Sequence, residues 1–188
     1  SAKKRNVGIL GTGSFVPKRV LSNFDLEKMV DTSDEWIIKR TGISQRRLLD
    51  ENLPASMMAV EAARRALSNS GFDAADIDLI IVSTTTPDYL TPTTSCIVQK
   101  ELGARNAAAF DMNAACTGFL YAVTVAKQFV ETGYCRYVLV VSCEAMSKVV
   151  DYTERKTCVL FGDGAGAVVV GEVEEGYGIL STYMASDG

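Results

Sequence analysis

The chain has 188 residues, 47% of them hydrophobic and 22% charged, so it can bury a core as one compact domain. A formal net charge of -4 with no dense Lys/Arg stretch gives no electrostatic footprint for nucleic acid, and no run of about 18 apolar residues is present to span a bilayer. Five scattered cysteines without a Cys-x-x-Cys pair argue against disulfides and zinc, and the lack of any histidine means that imidazole chemistry must come from outside these residues.

No charged-then-apolar leader and no Arg/Ser-rich transit pattern opens the chain, so a cytoplasmic location is expected. Near the start, an apolar run over residues 7–10 leads into Gly11-Thr12-Gly13. The third glycine of a dinucleotide fingerprint is replaced by Val16, and Pro17 stands where a helix should begin, so nucleotide binding at this turn is rejected. Thr32-Ser33-Asp34-Glu35 has the form of a capping box opening a short helix, which sets Trp36 and Arg40 one turn apart on one face. Two readings stand here: a half-buried Trp with an Arg stacked over it, or a platform for a purine ring with phosphate contacts.

Helices are expected over residues 55–70, 93–102 and 116–132, each followed by a glycine suited to a left-handed C-cap: Gly71, Gly103 and Gly133. Between them, residues 77–83, 137–142 and 167–171 are near-continuous Val/Ile-rich runs, the pattern of strands buried on both faces of a parallel sheet. This alternation predicts a layered α/β fold with right-handed crossovers. The helix from Cys116 is apolar around almost its whole circumference and is expected to be buried on all sides.

Cys116 follows a short apolar run, residues 107–110, and should sit at or near that helix's N-terminus, where unpaired N–H groups and the macrodipole favour a thiolate. Cysteine is also a common buried space-filler, so position alone leaves both readings open. Gly162-Asp163-Gly164-Ala165-Gly166-Ala167 runs into a Val-rich strand rather than a helix and is expected to form a tight turn or bulge.

Three segments together resemble one family. They are Asp31-Thr-Ser-Asp-Glu-Trp-Ile-Ile-Lys-Arg-Thr-Gly-Ile43, Ala114-Ala-Cys-Thr-Gly-Phe119 and Phe161-Gly-Asp-Gly-Ala-Gly-Ala167. In order and spacing, from Gly8 to Ser186-Asp187-Gly188, they are similar to β-ketoacyl-acyl-carrier-protein synthase III. The resemblance implies a thiolase-like fold of alternating helix and sheet layers in two pseudo-symmetric halves, with residues 1–188 forming the N-terminal half and the C-terminal half absent from this chain.

The resemblance also implies an activity: decarboxylative Claisen condensation of a short acyl-CoA primer, such as acetyl-CoA, with malonyl-acyl-carrier protein, to begin fatty acid synthesis. Cys116 is then the nucleophile that carries the acyl group. Trp36 matches a residue stacking on the CoA adenine and Arg155 the one covering its other face. Arg40 and Thr41 match nucleotide contacts, Phe161 a wall of the pantetheine and acyl tunnel, and Thr91 an acyl-pocket residue supplied across a homodimer. Acyl-CoA is a substrate, so no cofactor is implied. Family members add a His and an Asn from the second half, so the chain alone is expected not to condense. Within the superfamily, a hydroxymethylglutaryl-CoA synthase or secondary-metabolite synthase would keep the same Cys. A non-catalytic partner subunit would be expected to lack it.

Overall fold

The computed structural model describes residues 5–187, so Gly188, the last residue of the resemblance, lies outside them. In chain order it contains β1 (Val7–Phe15), β2 (Arg19–Ser22), α1 (Asn23–Leu26), α2 (Asp34–Thr41), β3 (Gln45–Leu48), α3 (Ala55–Ser70), β4 (Leu79–Ser83), α4 (Thr94–Leu102), β5 (Ala108–Met112), α5 (Gly118–Glu131), β6 (Tyr137–Ala145), α6 (Arg155–Cys158) and β7 (Asp163–Glu172). Five strands form one sheet in the order β1-β7-β6-β4-β5, and β2 pairs with β3 in a separate hairpin.

The inner strand β4, between β6 and β5, is buried along its whole length because both faces of the sheet are covered. Its period-two alternation splits into two cores. Ile80 and Val82 join Leu139, Val141, Ala167 and Val169 against α3 and Val98 of α4. Leu79 and Ile81 join Val138, Val140, Val168 and Val170 against Ala122, Val123, Ala126 and Val130 of α5. The result is a helix–sheet–helix sandwich, the layered α/β architecture expected from the alternating runs. A third small core, centred on Leu21, Leu26, Ile37, Leu48, Cys158 and Val159, joins the hairpin to α1, α2 and α6.

The helices over 55–70 and 93–102 form as expected to within a residue, and Gly71 and Gly103 adopt left-handed conformations at their ends. Neither relies on sequence-local capping alone. The Asp88 carboxylate accepts from the Ala55 N–H at 2.6 Å, where Pro54 offers no side-chain cap, and the Asp111 carboxylate accepts from Thr94 and Ser95 N–H at 2.8 and 2.7 Å. Gly11 and Gly13 lie inside β1, and a Cβ on Gly13 would stand 2.2 Å from the Ala62 carbonyl. These glycines bring β1 against α3, which agrees with rejecting a nucleotide turn there.

Four expectations change. The sheet is mixed rather than parallel: β4 is parallel to β5 and β6, whereas β7 is antiparallel to both β6 and β1. A strand covered on both faces carries the same apolar run in either direction, so its orientation is not written locally. Residues 163–167 are already part of β7, with Gly164 opposite Glu144 and Ala165 opposite both Cys143 and Phe15, rather than a turn. α5 begins at Gly118 and is buried along one face only; Leu120 is 63% exposed and Phe119, Val125 and Phe129 are half-buried. Finally, α2 is capped by Ser33, whose Oγ accepts from the Trp36 N–H at 3.1 Å, one residue later than the Thr32 cap expected.

Candidate active site

β5 ends at Met112, and the chain turns through a single 3-10 turn, Ala115–Thr117, before α5 starts. Cys116 therefore sits at the head of α5, as its sequence context indicated, and it is exposed. Ala115 has φ 46°, the only positive φ at a non-glycine among the described residues. A left-handed Ala costs roughly 1–2 kcal/mol, so the surroundings must hold it. Thr117 Oγ1 donates to the Ala114 carbonyl at 2.8 Å, and the Gly118 N–H donates to the Ala115 carbonyl, closing the turn on itself. Cys116 is presented on a tight strand-to-helix elbow at the carboxyl ends of parallel strands, where open α/β sheets place their sites.

The neighbouring strand ends are tied together. The Glu144 carboxylate, on β6, accepts from Thr85 N–H, Thr85 Oγ1 and Thr86 Oγ1 at 2.8 to 2.9 Å, and Thr86 Oγ1 accepts in turn from the Ala145 N–H at 2.8 Å. This clamp locks the segment after β4 to β6. Asp163 does the same for the start of β7: its buried carboxylate accepts from the N–H groups of Leu49 and Ser147 at 2.6 and 2.8 Å.

The other cysteines separate into two groups. Cys96 is exposed in the first turn of α4. Cys135, Cys143 and Cys158 are buried, and burial raises all three thiols; Cys143, with Glu144 and Asp88 adding like-charge repulsion, is pushed up to about 12. These three stay protonated and inert at neutral pH.

Four of the residues expected at a nucleotide site come together. The Arg40 and Arg155 guanidinium carbons lie 5.1 and 5.0 Å from the Trp36 ring centroid, within cation–π range, and Arg155 Nη1 donates to the Asp31 carbonyl at 2.8 Å. With Thr41 and Lys156 these side chains line a cavity of about 520 Å³. Two guanidinium groups at a flat aromatic ring, with Lys156 lining the same cavity, suit a purine bearing phosphates. Thr41 Oγ1 is engaged locally, donating to the Ile37 carbonyl and accepting from the Ile43 N–H. Phe161 is half-buried between α6 and β7, and neither it nor Cys116 lines this cavity. Thr91 lies in an exposed loop, joined to Pro92 by a cis peptide, beside a cavity of about 190 Å³ bounded by Leu90, Thr93 and the end of β5.

One group behind the platform was not singled out in the sequence. Arg46 is 5% exposed, and burial lowers its pKa. It donates to the carbonyls of Leu21 and Val159 and to Asn23 Oδ1, at 2.9 to 3.1 Å, while Asn23 Nδ2 donates to Asp34 Oδ1 and the Ile43 carbonyl. This chain of bonds fixes α2, which carries Trp36, against α6, which carries Arg155. The available signal was parity: Arg46 alternates in step with Leu48, on the inward side of β3.

A family profile described as 3-oxoacyl-[acyl-carrier-protein (ACP)] synthase III matches residues 110–188. Over 99% of its length the chain is 57% identical to a protein named beta-ketoacyl-[acyl-carrier-protein] synthase III from Caldanaerobacter subterraneus subsp. tengcongensis, covering 56% of it. It is 53% identical, over 97% of its length, to beta-ketoacyl-[acyl-carrier-protein] synthase III 1 of Bacillus anthracis, covering 59% of that protein. Among solved structures it is similar to 3-oxoacyl-[acyl-carrier-protein] synthase III from Aquifex aeolicus VF5, with TM-score 0.87 and 50% identity over 90% of this chain and 55% of that one. It is also similar to the priming beta-ketosynthase of the R1128 polyketide pathway, with TM-score 0.89 and 45% identity over 92% of this chain and 52% of that one. The chain thus spans somewhat more than half the length of the proteins it matches.

Proposed function

Because the chain belongs in sequence and fold to the 3-oxoacyl-[acyl-carrier-protein] synthase III family, we propose that it is the N-terminal, nucleophile-bearing half of an enzyme that condenses a short acyl-CoA with malonyl-acyl-carrier protein. The observation that carries this reading is the exposed Cys116 on its strained elbow, on the same chain as the Trp36–Arg40–Arg155 cluster.

In this reading the nucleotide end of acyl-CoA rests on Trp36, with Arg40, Arg155 and Lys156 facing its phosphates and Phe161 bordering the pantetheine arm. The Cys116 thiolate attacks the thioester carbonyl, the C–S bond to CoA breaks, and the CoA thiolate leaves and takes a proton. Malonyl-acyl-carrier protein then loses CO2, and its carbanion attacks the acyl-Cys116 carbonyl. The Cys116 thiolate is expelled and a β-ketoacyl-acyl-carrier protein is released. No histidine exists in the 188 residues, so the His assigned to decarboxylation must come from elsewhere; the resemblance puts it, with the Asn, in a second half, and on this reading the chain alone does not condense. A homodimer in the cytoplasm completes the proposal; its support here is that β5 is an edge strand beside the Thr91 loop.

The test is acylation by acetyl-CoA followed by peptide mapping. One acetyl group on Cys116, discharged on adding malonyl-acyl-carrier protein once the second half is present, is expected. Acetylation at any other cysteine, or none in protein that binds CoA, refutes the reading.

A further inference from the structure

β4 ends at Ser83, which is 2% exposed and aligned with Met112 of β5 on one side and Ser142 of β6 on the other. Directly against it lies Gly118, the first residue of α5, also buried. A Cβ placed on Gly118 would stand 2.0 Å from Ser83 Oγ and 3.3 Å from Ser83 Cβ. Carbon and oxygen atoms in van der Waals contact lie about 3.5 Å apart, so a side chain at 118 requires the Ser83 hydroxyl to turn away and, against Ser83 Cβ, a further small shift of strand or elbow.

The backbone at this position does not ask for glycine. Gly118 has φ -56° and ψ -41°, ordinary right-handed helical values. Alanine there would be favoured by up to about 1 kcal/mol on helix propensity. The close approach to Ser83 is what glycine provides. Gly118 is two residues from Cys116 and is bonded to the same turn, since its N–H donates to the Ala115 carbonyl while the Thr117 N–H donates to that of Ala114 at 3.2 Å. A displacement at Gly118 therefore passes to Cys116 with little slack to absorb it.

We propose that Ser83 and Gly118 are positioning residues for the nucleophile: the end of β4 is the seat on which the elbow rests, and the Ser83–Gly118 contact sets how far Cys116 stands above the strand ends. The inference rests on Cys116 being the acyl carrier. A misplacement of about 1 Å costs on the order of 100-fold in a reaction that depends on near-attack geometry, so the contact acts on rate as well as on packing.

The experiment compares the parent, Gly118→Ala, Ser83→Gly and the double variant. Cys116 labelling by iodoacetamide is followed across the neutral pH range and divided by labelling of Cys96 on the same molecule, and acylation by acetyl-CoA is measured in parallel. Gly118→Ala should lower the Cys116 to Cys96 ratio and the acylation rate by about 10-fold or more, and adding Ser83→Gly should restore both to within about 3-fold of Ser83→Gly alone. General loosening would instead expose Cys135, Cys143 and Cys158 without singling out Cys116. A folded Gly118→Ala with the parent ratio, or a loss that Ser83→Gly fails to restore, overturns the proposal. If Gly118→Ala does not fold, Ser83→Thr crowds the same contact in a residue that strands accept, and a parent-like ratio there also overturns it. Should the parent Cys116 label readily yet never be acylated, the functional reading fails while the seat is still decided by the labelling ratios.

Discussion

Replacing Trp36 by Ala tests the proposed nucleotide platform most directly. In the free chain the indole faces two guanidinium groups at about 5 Å, each contact worth roughly 0.5–1 kcal/mol at an exposed site. When a purine stacks on the ring beneath Arg155, the indole–guanidinium contact is exchanged for a purine–guanidinium contact of the same kind, and these two contributions nearly cancel. What the variant loses is base–aromatic stacking, about 1–3 kcal/mol by analogy with nucleic-acid complexes. The dissociation constant for acetyl-CoA should therefore rise about 5- to 150-fold. Trp36 is the sole tryptophan of the sequence, so its fluorescence should change on saturation of the parent with CoA, while calorimetry provides the constant for the variant. Phosphopantetheine, which lacks the purine, supplies the control: its affinity should be the same in both proteins. Equal CoA constants in folded parent and variant, or an equal loss for phosphopantetheine, would refute the stacking argument and leave Trp36 a packing role in the third core.

Arg46→Met removes three charged donors from buried acceptors and should destabilise the chain by about 3 kcal/mol or more, which lowers Tm by roughly 6–12 °C for a protein of this size; a loss under about 1 kcal/mol would refute its bridging role. The Cys143 thiol is raised from 9.0 to about 12 by burial, so between those values the folded chain keeps a proton that the unfolded chain has lost. Stability should fall there by up to about 1.4 kcal/mol per pH unit, and not below pH 9; urea titrations showing the same alkaline slope in Cys143→Ala would refute this. If Thr91 borders the acyl pocket, as the resemblance implies, it leaves room that Phe would fill, and each further methylene buried there is worth about 0.8 kcal/mol, so primers longer than acetyl should be accepted and then lost in Thr91→Phe. Strict acetyl preference of the parent in kcat/KM, or longer primers unaffected by the substitution, would defeat that idea.

The periodic elements were legible because their signals are local. Residues 55–70 have an apolar stripe and are followed by a glycine, both local signals of a helix, although its first turn is capped by Asp88, 33 positions away. Cys116 was legible for the same reason, since a short strand followed by a helix puts whatever lies between them at a helix head. The strain at Ala115 was not, because alanine advertises no left-handed conformation and only the closed turn imposes it. Nor was the direction of β7, whose two pairings are antiparallel while its composition is that of any doubly buried strand.

The candidate nucleotide platform shows the limit most clearly. Trp36 and Arg40 were placed on one face by helical spacing, and the cation–π geometry agrees. Arg155 entered only through the resemblance, because its contact with the Asp31 carbonyl joins positions 124 residues apart. What closes that distance is the buried Arg46, which reaches Val159 across 113 positions while holding Asn23 and, through it, the start of α2. A guanidinium on an inward strand position reads as a violation of the apolar pattern, and such violations cost several kcal/mol unless each is bonded. The violation itself was thus the readable sign of a long-range bridge, though the carbonyl it meets cannot be named from sequence because every residue carries one.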